Sequence, residues 1–227
     1  RTADEYAVWL LDLMKLKDLD HACIETCVLA SVVPETKFNL ISLCRRYFPG
    51  ELMVVGDRDL DLGLKVLIDR PEQVGADRLV NTVAAHKLYG GPAVIVDFGT
   101  ATTFDVVDSD GAYIGGVIAP GVNTSLEALH MAAAALPHVD VTKPQSAIGT
   151  NTVACIQSGI YWGYVGLVEG IVRQIRVERE RPMKVIATGG LASLFDQGTD
   201  IFDHVEDDLT MHGLVLINRY NRDLTTA

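Results

Sequence analysis

Several features that mark particular protein classes are missing from this 227-residue sequence. No apolar run approaches the roughly 18–20 residues that a membrane-spanning helix needs. The four cysteines form no Cys-x-x-Cys pair and have no histidine at metal-ligand spacing, which excludes the common zinc patterns. The sequence also has no low-complexity linker and no short repeat. With 48% apolar residues, it has the composition of a globular protein of one large domain or two small lobes.

Positive charge is scarce in this chain. It has 19 lysines and arginines against 30 aspartates and glutamates, which gives a formal net charge of -11. An acidic surface repels nucleic acid and anionic membranes, so neither is expected as the main partner. Cys23 and Cys27 lie in or beside an apolar run, which favours buried free thiols and a reducing, cytoplasmic compartment.

Apolar spacing, caps and turn residues predict alternating helices and strands. We predict helices over about 3–16, 34–48, 76–89, 124–136, 151–179 and 207–220. We predict strands over about 26–33, 52–55, 113–119 and 184–188, two more within 93–107, and an extended piece near 64–68. The predicted class is α/β, with a mixed sheet in each of two lobes over residues 1–89 and 90–227. Four glycines in the longest helix indicate close helix packing.

The most informative stretch is residues 93–107, where an apolar strand leads into a polar turn and a second apolar strand. Gly99 lets the backbone approach a ligand, and the turn amides and threonine hydroxyls of Thr100 and Thr102 can donate to phosphate oxygens. Asp97 ends a buried strand, where a carboxylate is costly unless a cation or donors meet it. The pattern indicates a clamp for the phosphates of a nucleotide and their metal. The structural alternative is an ordinary hairpin with a polar turn.

The tripeptide Asp-Phe-Gly within this stretch also occurs in protein kinases. There it accompanies a His-Arg-Asp motif and a glycine-rich loop before a lysine-bearing strand. This sequence has neither, so the protein-kinase interpretation is weak.

A second motif, residues 75–78, lies at the predicted start of a helix. The helix dipole favours the anionic form of Asp77, which can accept a proton from a substrate hydroxyl. The guanidinium of Arg78 can hold a carboxylate through two parallel hydrogen bonds. The structural alternatives are a helix cap for Asp77 and a solvated surface arginine for Arg78.

Two further motifs flank predicted elements. Gly189 and Gly190 follow a strand, where glycines permit close approach of an adenine or a ribose. Thr152 lies at the start of the longest helix and is a candidate substrate contact. A glycine pair at a strand end is common, and Thr150 or Asn151 can simply cap the helix.

The sequence resembles the type III pantothenate kinases through motifs that follow one another in the same order. These are residues 75–78 with Asn81, 97–103, 115–121, 149–152 and 188–191. The resemblance extends from Arg1 to about Arg219. It implies the actin-like ATPase superfamily, in which two ribonuclease H-like lobes with mixed sheets and flanking helices hold ATP between them. It also implies a homodimer with the pantothenate pocket at the interface.

By this resemblance, the protein transfers a phosphoryl group from ATP to the primary hydroxyl of pantothenate, the first step of coenzyme A biosynthesis. Mg2+ and a monovalent cation, K+ or NH4+, would assist. Asp77 would be the catalytic base, and Asp97 would meet the monovalent cation. Pantothenate would be bound by Gly75, Ala76, Asp77, Arg78 and, from the partner subunit, Thr152. ATP would be bound by Gly99, Thr100, Thr102, Gly189 and Gly190.

The sequence departs from the family pattern in two places. The family opens with a strand and a phosphate loop of the form Asp-x-Gly-Asn-Thr, which this chain lacks, so we expect about 25–35 further residues upstream of Arg1. Ile68 stands where many relatives carry a tyrosine that touches substrate, so we expect a remodelled pocket wall. Two alternatives stay open: another small-molecule kinase of the superfamily, or a non-catalytic regulator that keeps the fold. A nucleic-acid binder is disfavoured by charge.

Overall fold

The computed structural model describes residues 1–57, 59–133 and 136–226. The helices are α1 (Ala3–Leu16), α2 (Pro34–Tyr47), α3 (Ala76–Tyr89), α4 (Val122–Ala132), α5 (Thr152–Arg179), α6 (Ala192–Asp196) and α7 (Leu209–Thr226). The strands are β1 (Thr26–Leu29), β2 (Glu51–Val54), β3 (Ala93–Phe98), β4 (Ala101–Val107), β5 (Tyr113–Pro120), β6 (Lys184–Thr188) and β7 (His204–Val205). Short 3-10 helices cover His21–Cys23 and Pro71–Gln73.

The chain divides into two compact units. Unit 1 comprises Arg1–Leu64, Asp69–Ala84 and Thr210–Ala227, and unit 2 comprises Lys65–Ile68 and Ala85–Leu209. The sequence-based domain boundary after residue 89 stays a prediction, because a compact unit defined by contacts is not by itself a folding domain.

Unit 1 joins a small sheet to helices. Strands β1 and β2 pair in parallel, with Thr26 opposite Glu51. Helices α1 and α2 pack through an apolar cluster that includes Ala7 and Leu43. A second cluster brings side chains of α3 and α7 together around Val80. These contacts fix the first part of α3, which carries the predicted proton acceptor.

Unit 2 is built on a five-stranded sheet in the order β5-β4-β3-β6-β7. β4 is antiparallel to β3 and β5, whereas β3, β6 and β7 are parallel, so the sheet is mixed. The core cluster joins Val96 and Phe98 of β3 to apolar side chains of α5. The mixed α/β class predicted from the sequence is confirmed.

Helix α5 has an open face. Gly159, Gly163, Gly166 and Gly170 recur every three or four residues along it. A Cβ added at any of the four would meet nothing within 4 Å outside the neighbouring helix backbone. The close packing expected from these glycines is therefore not made by the described part of this chain. Trp162, which lies among them, is 38% exposed.

The predicted helix over 124–136 differs from α4 at both ends. Helix α4 begins at Val122 and ends at Ala132, and residues 134 and 135 of the prediction lie outside the described residues. Across the described ranges, none of the helices combines the length and the apolar character that a bilayer crossing requires.

Candidate active site

The turn after β3 consists of Gly99 and Thr100, which are both exposed. The N–H of Gly99 donates to the carbonyl of Ala101 at 3.1 Å, so this amide already closes the turn. The Gly99 amide is therefore already used within the turn, and donation to phosphate oxygens by the exposed Thr100 stays a prediction.

Asp97, the residue before the last of β3, lies beside Gly189, the first glycine after β6. A Cβ added to Gly189 would lie 2.5 Å from Oδ1 of Asp97 and 2.7 Å from the amide nitrogen of Phe98. Gly189 also has a φ of +90°, which residues with a side chain rarely adopt. Because β3 and β6 are parallel, their carboxyl ends meet at one edge of the sheet, where α/β proteins commonly bind ligands. This edge presents a half-buried carboxylate next to bare backbone.

Strand register separates the polar side chains after the turn into two faces. Thr103 lies opposite Asp97, and its hydroxyl donates to Oδ2 of Asp105 at 3.3 Å. Thr102 lies opposite Phe98 on the other face, where its buried Oγ1 has no hydrogen-bond partner among the residues that the structure describes. A role for Thr102 in ATP binding stays a prediction.

Sequence reasoning missed Asp105. This carboxylate is fully buried and lies on the same face of the sheet as Asp97. The available signal was a charged residue between the apolar Phe104 and Val106 of the strand, where a carboxylate requires hydrogen-bonding partners. The donor at Thr103 is one of them.

The start of α3 holds a carboxylate against the backbone. Oδ1 of Asp77 accepts the N–H of Arg78 at 2.8 Å. A Cβ added to Gly75 would lie 2.5 Å from the same oxygen and 3.2 Å from Cγ1 of Val32. Gly75 thus makes room for the carboxylate to fold over the helix start, where the dipole favours an anion. Asp77 and Arg78 are both half-buried.

The rest of this helix start is anchored within unit 1. The carbonyl of Arg78 accepts the hydroxyl of Thr82 at 2.8 Å. Asn81, one turn after Asp77, is 1% exposed, and its Oδ1 accepts the hydroxyl of Thr210 on α7 at 2.7 Å. Ala76, the first residue of α3, packs at the edge of the apolar cluster around Val80.

Thr152 is the first residue of α5 and is exposed. The preceding Asn151 is the cap: its Oδ1 accepts the N–H of Ala154 at 3.0 Å. Of the two caps that the sequence left open, the structure uses Asn151.

Apart from Thr152, the predicted site residues form two groups. In unit 2, Asp97, Gly99, Thr100 and Gly189 lie together at the end of β3, and Gly190 follows with open space where a Cβ would be. Thr102 belongs to the same hairpin, on its buried face. In unit 1, residues 75–78 form the second group at the start of α3.

Comparison with known proteins identifies the family. Residues 1–174 match the model of the family described as type III pantothenate kinase. The chain is 69% identical over 224 residues to a type III pantothenate kinase of Cereibacter sphaeroides. This match covers 99% of this chain and 87% of the relative. It is 63% identical to that of Paracoccus denitrificans, covering 99% and 86%, and 58% identical to that of Rhodospirillum rubrum, covering 98% and 86%.

A solved structure shows the same fold at low identity. It is a conserved protein of Campylobacter jejuni, described as a Baf-family transcriptional activator, with a TM-score of 0.61. The match is 17% identical and covers 93% of this chain and 89% of that one, so the likeness concerns the fold alone. The sequence matches carry the assignment: this chain belongs to the type III pantothenate kinase family, whose members are phosphotransferases.

Proposed function

We propose that this protein transfers the γ-phosphoryl group of ATP to the primary hydroxyl of pantothenate and releases 4′-phosphopantothenate and ADP. The reaction begins coenzyme A biosynthesis. The observation that carries the proposal is the 69% identity to a type III pantothenate kinase over 99% of this chain. Phosphoryl transfer asks a protein mainly for positioning and charge stabilisation, which rigid donors and carboxylates supply.

Asp77 is the proton acceptor in this proposal. As the pantothenate hydroxyl attacks phosphorus, its proton passes to the carboxylate of Asp77. Two observations support the role: the carboxylate is half-buried at a helix start, and its Oδ1 is held by the N–H of Arg78. A carboxylate held in one orientation is a better positioned base than one on a mobile side chain.

Pantothenate binding is assigned to the residues around this base. The backbone of Gly75 and Ala76 lines the pocket, and Arg78 pairs with the carboxylate of pantothenate through its planar guanidinium. Thr152 of α5 contacts the pantothenate bound by the partner subunit. The exposure of Thr152 in the single chain supports this role, because its hydroxyl is available to a second molecule.

ATP binding is assigned to the turn after β3 and the glycines after β6. Thr100 donates to phosphate oxygens, and Thr102 supports the turn from its buried face. Gly99, Gly189 and Gly190 leave the backbone uncovered for close approach of the nucleotide. The support for this assignment is the edge of parallel strands at which these residues lie.

The residues present also fit a cation at Asp97. Oδ1 of Asp97 lies in a cradle that a Cβ at Gly189 would fill, and an anionic carboxylate oxygen can ligate K+ or accept hydrogen bonds from NH4+. The described residues contain no group of three or more potential metal-ligating side chains, so most ligands would come from phosphate oxygens and water. When bound, such cations neutralise charge on the phosphates.

We further propose a homodimer, two ribonuclease H-like lobes with a boundary after residue 89, and a cytoplasmic location. The open glycine face of α5 supports the dimer, because small residues let a second helix approach closely. Gly163→Leu should therefore give a monomer by light scattering and abolish turnover. Glu178→Leu, at an exposed position near the C-terminal end of α5, is the matched control. A fully active monomer would contradict the dimer proposal.

The direct test of the catalytic assignment is Asp77→Asn. The substitution keeps the shape of the side chain and removes its ability to take a proton, so kcat should fall about 10²–10⁴-fold. The affinity for ATP should be unchanged. Asp12→Asn, on the exposed side of α1, is the control and should retain full turnover. Full turnover by Asp77→Asn would remove Asp77 from the role.

A further inference from the structure

The hydroxyl of Tyr164, in the middle of α5, contacts the chain that follows β5. It lies 2.9 Å from the carbonyl oxygen of Pro120, 2.9 Å from that of Gly121 and 2.6 Å from Oγ of Ser125. Tyr164 is 6% exposed, so these bonds form away from water. Its one hydroxyl hydrogen is shared between the two carbonyl oxygens and its oxygen accepts the hydroxyl of Ser125, so the group contacts both the end of β5 and the first turn of α4.

The first turn of α4 in turn supports the turn after β3. A Cβ added to Gly121 would lie only 2.1 Å from the carbonyl oxygen of Thr100 and 2.8 Å from that of Gly99. The hydroxyl of Thr124 donates to the same Thr100 carbonyl at 3.0 Å. The backbone of Thr100 therefore rests on α4 both by close contact and by a hydrogen bond.

These contacts form one continuous path from α5 to the turn. Tyr164 holds Gly121, Gly121 abuts Thr100, and Thr124 fixes the direction of the Thr100 carbonyl. A carbonyl drawn toward α4 cannot point at an anion bound on the exposed side of the turn. The path thus removes a source of repulsion from the place where phosphate is expected.

We propose that Tyr164 is a positioning residue for ATP: its hydroxyl sets the Thr100 turn through the start of α4. The inference rests on the proposed function, since it assigns the phosphates of ATP to that turn. It names a residue outside every motif that identified the family, 64 residues further along the chain from Thr100. No contact between Tyr164 and ATP is required.

The protein offers a matched control. Tyr161 lies one turn earlier on α5, is fully buried and stacks on Phe195, which Tyr164 also contacts. Its hydroxyl donates to the carbonyl of Leu194 at 3.2 Å, away from α4. Both tyrosines therefore contribute a ring to one core and one hydroxyl to backbone carbonyls. Only the Tyr164 hydroxyl leads to the turn.

The experiment compares Tyr164→Phe with Tyr161→Phe in the full-length protein. Each variant keeps its ring and loses one hydroxyl, and thermal unfolding should be affected more in Tyr164→Phe, whose hydroxyl has three partners rather than one. Tyr164→Phe should raise KM for ATP by about 3- to 10-fold, the effect of one lost buried hydrogen bond. KM for pantothenate should be unchanged. Tyr161→Phe should leave both KM values as in the wild type. Equal KM values for ATP in the two variants would overturn the inference.

A second variant tests the same path without disturbing the core. Thr124 is exposed, and Thr124→Val removes its hydrogen bond to the Thr100 carbonyl. Like Tyr164→Phe, this variant should lower the affinity for ATP. Direct titration with a non-hydrolysable ATP analogue measures this even if the wild type phosphorylates no pantothenate. Weaker analogue binding by both variants would support the inference, and unchanged binding by either would contradict it. Absence of turnover in the wild type would instead refute the proposed function alone.

Discussion

The turn after β3 and the start of α3 are confined by different kinds of atoms. Around the turn, a side chain at Gly121 would strike the backbone of Gly99 and Thr100, and one at Gly189 would strike the backbone of Phe98 as well as Oδ1 of Asp97. At the start of α3, the atoms nearest to a side chain at Gly75 belong to the side chains of Asp77 and Val32. Backbone in a sheet cannot shift without breaking its hydrogen bonds, whereas side chains can change rotamer. The turn thus depends on backbone fit, and the helix start depends on side-chain position.

The largest effect is expected from Gly121→Ala and Gly189→Ala. Each new Cβ would lie within 2.7 Å of backbone atoms, and Gly189 also has a φ of +90°. We expect the free energy of unfolding to fall by about 1–3 kcal/mol in each case, with weaker binding of an ATP analogue. Denaturant titration and calorimetry measure the two effects.

Gly190→Ala is the control for this pair. Its Cβ would meet nothing within 4 Å, so stability should change by less than about 0.5 kcal/mol. If Gly189→Ala were as stable as Gly190→Ala, the turn would not depend on backbone fit.

A smaller effect on stability is expected from Gly75→Ala. The new methyl group would clash with the carboxylate of Asp77 and make a close contact with Val32. Both side chains can move to relieve these contacts. We expect a loss of less than about 1 kcal/mol in the free energy of unfolding. Because the proposed base moves, kcat should fall while KM for ATP stays constant. Steady-state kinetics tests this, and a loss of ATP affinity with kcat intact would contradict it.

The smallest effect concerns two neighbouring thiols of unit 1, the unit that also carries the start of α3. Cys27 on β1 and Cys44 on α2 flank the loop that carries Val32. Burial raises the pKa of both thiols, that of Cys44 to about 12. Because the thiolate is the reactive form, a raised pKa slows alkylation at pH 8. Cys23, which the sequence predicted to be buried, is exposed, and so is Cys155; these two should therefore react first with iodoacetamide.

Mass spectrometry of peptides over time resolves the four cysteines. Turnover should survive labelling of Cys23, which lies outside both proposed groups of site residues. Labelling of Cys44 as fast as Cys23 would show that the packing around α2 in unit 1 opens readily.

Elements defined by local signals were predicted well. The bounds of α1 and α3 and of β6 agree with the prediction because a capping box, paired glycines and a short apolar run mark their ends. The strand predicted over 26–33 ends at Leu29, because β2, its partner, supplies only four residues for pairing. β7 has two residues and was missed, since so short a strand is defined by its neighbour rather than by its own pattern.

The residues of the candidate site likewise divide into those that local sequence could predict and those that it could not. Motifs contiguous in sequence, such as residues 75–78 and 97–103, were visible because their chemistry and turn residues are adjacent. The support from Tyr164 was not visible, since it joins residues that lie 39–44 positions apart through one hydroxyl. Nor could composition show that Thr102 faces the core, because this depends on strand register.

The most direct test is ADP formation by the full-length protein with ATP, in the presence and absence of pantothenate. The account predicts ADP only when pantothenate is present, with one phosphoryl group added to pantothenate in the product's mass. The rate of ADP formation should be higher in a buffer with K+ than in one without K+ or NH4+, because we assign one of these cations to Asp97. Folded protein that binds ATP yet leaves pantothenate unmodified would contradict the account and favour a regulator that keeps the kinase fold.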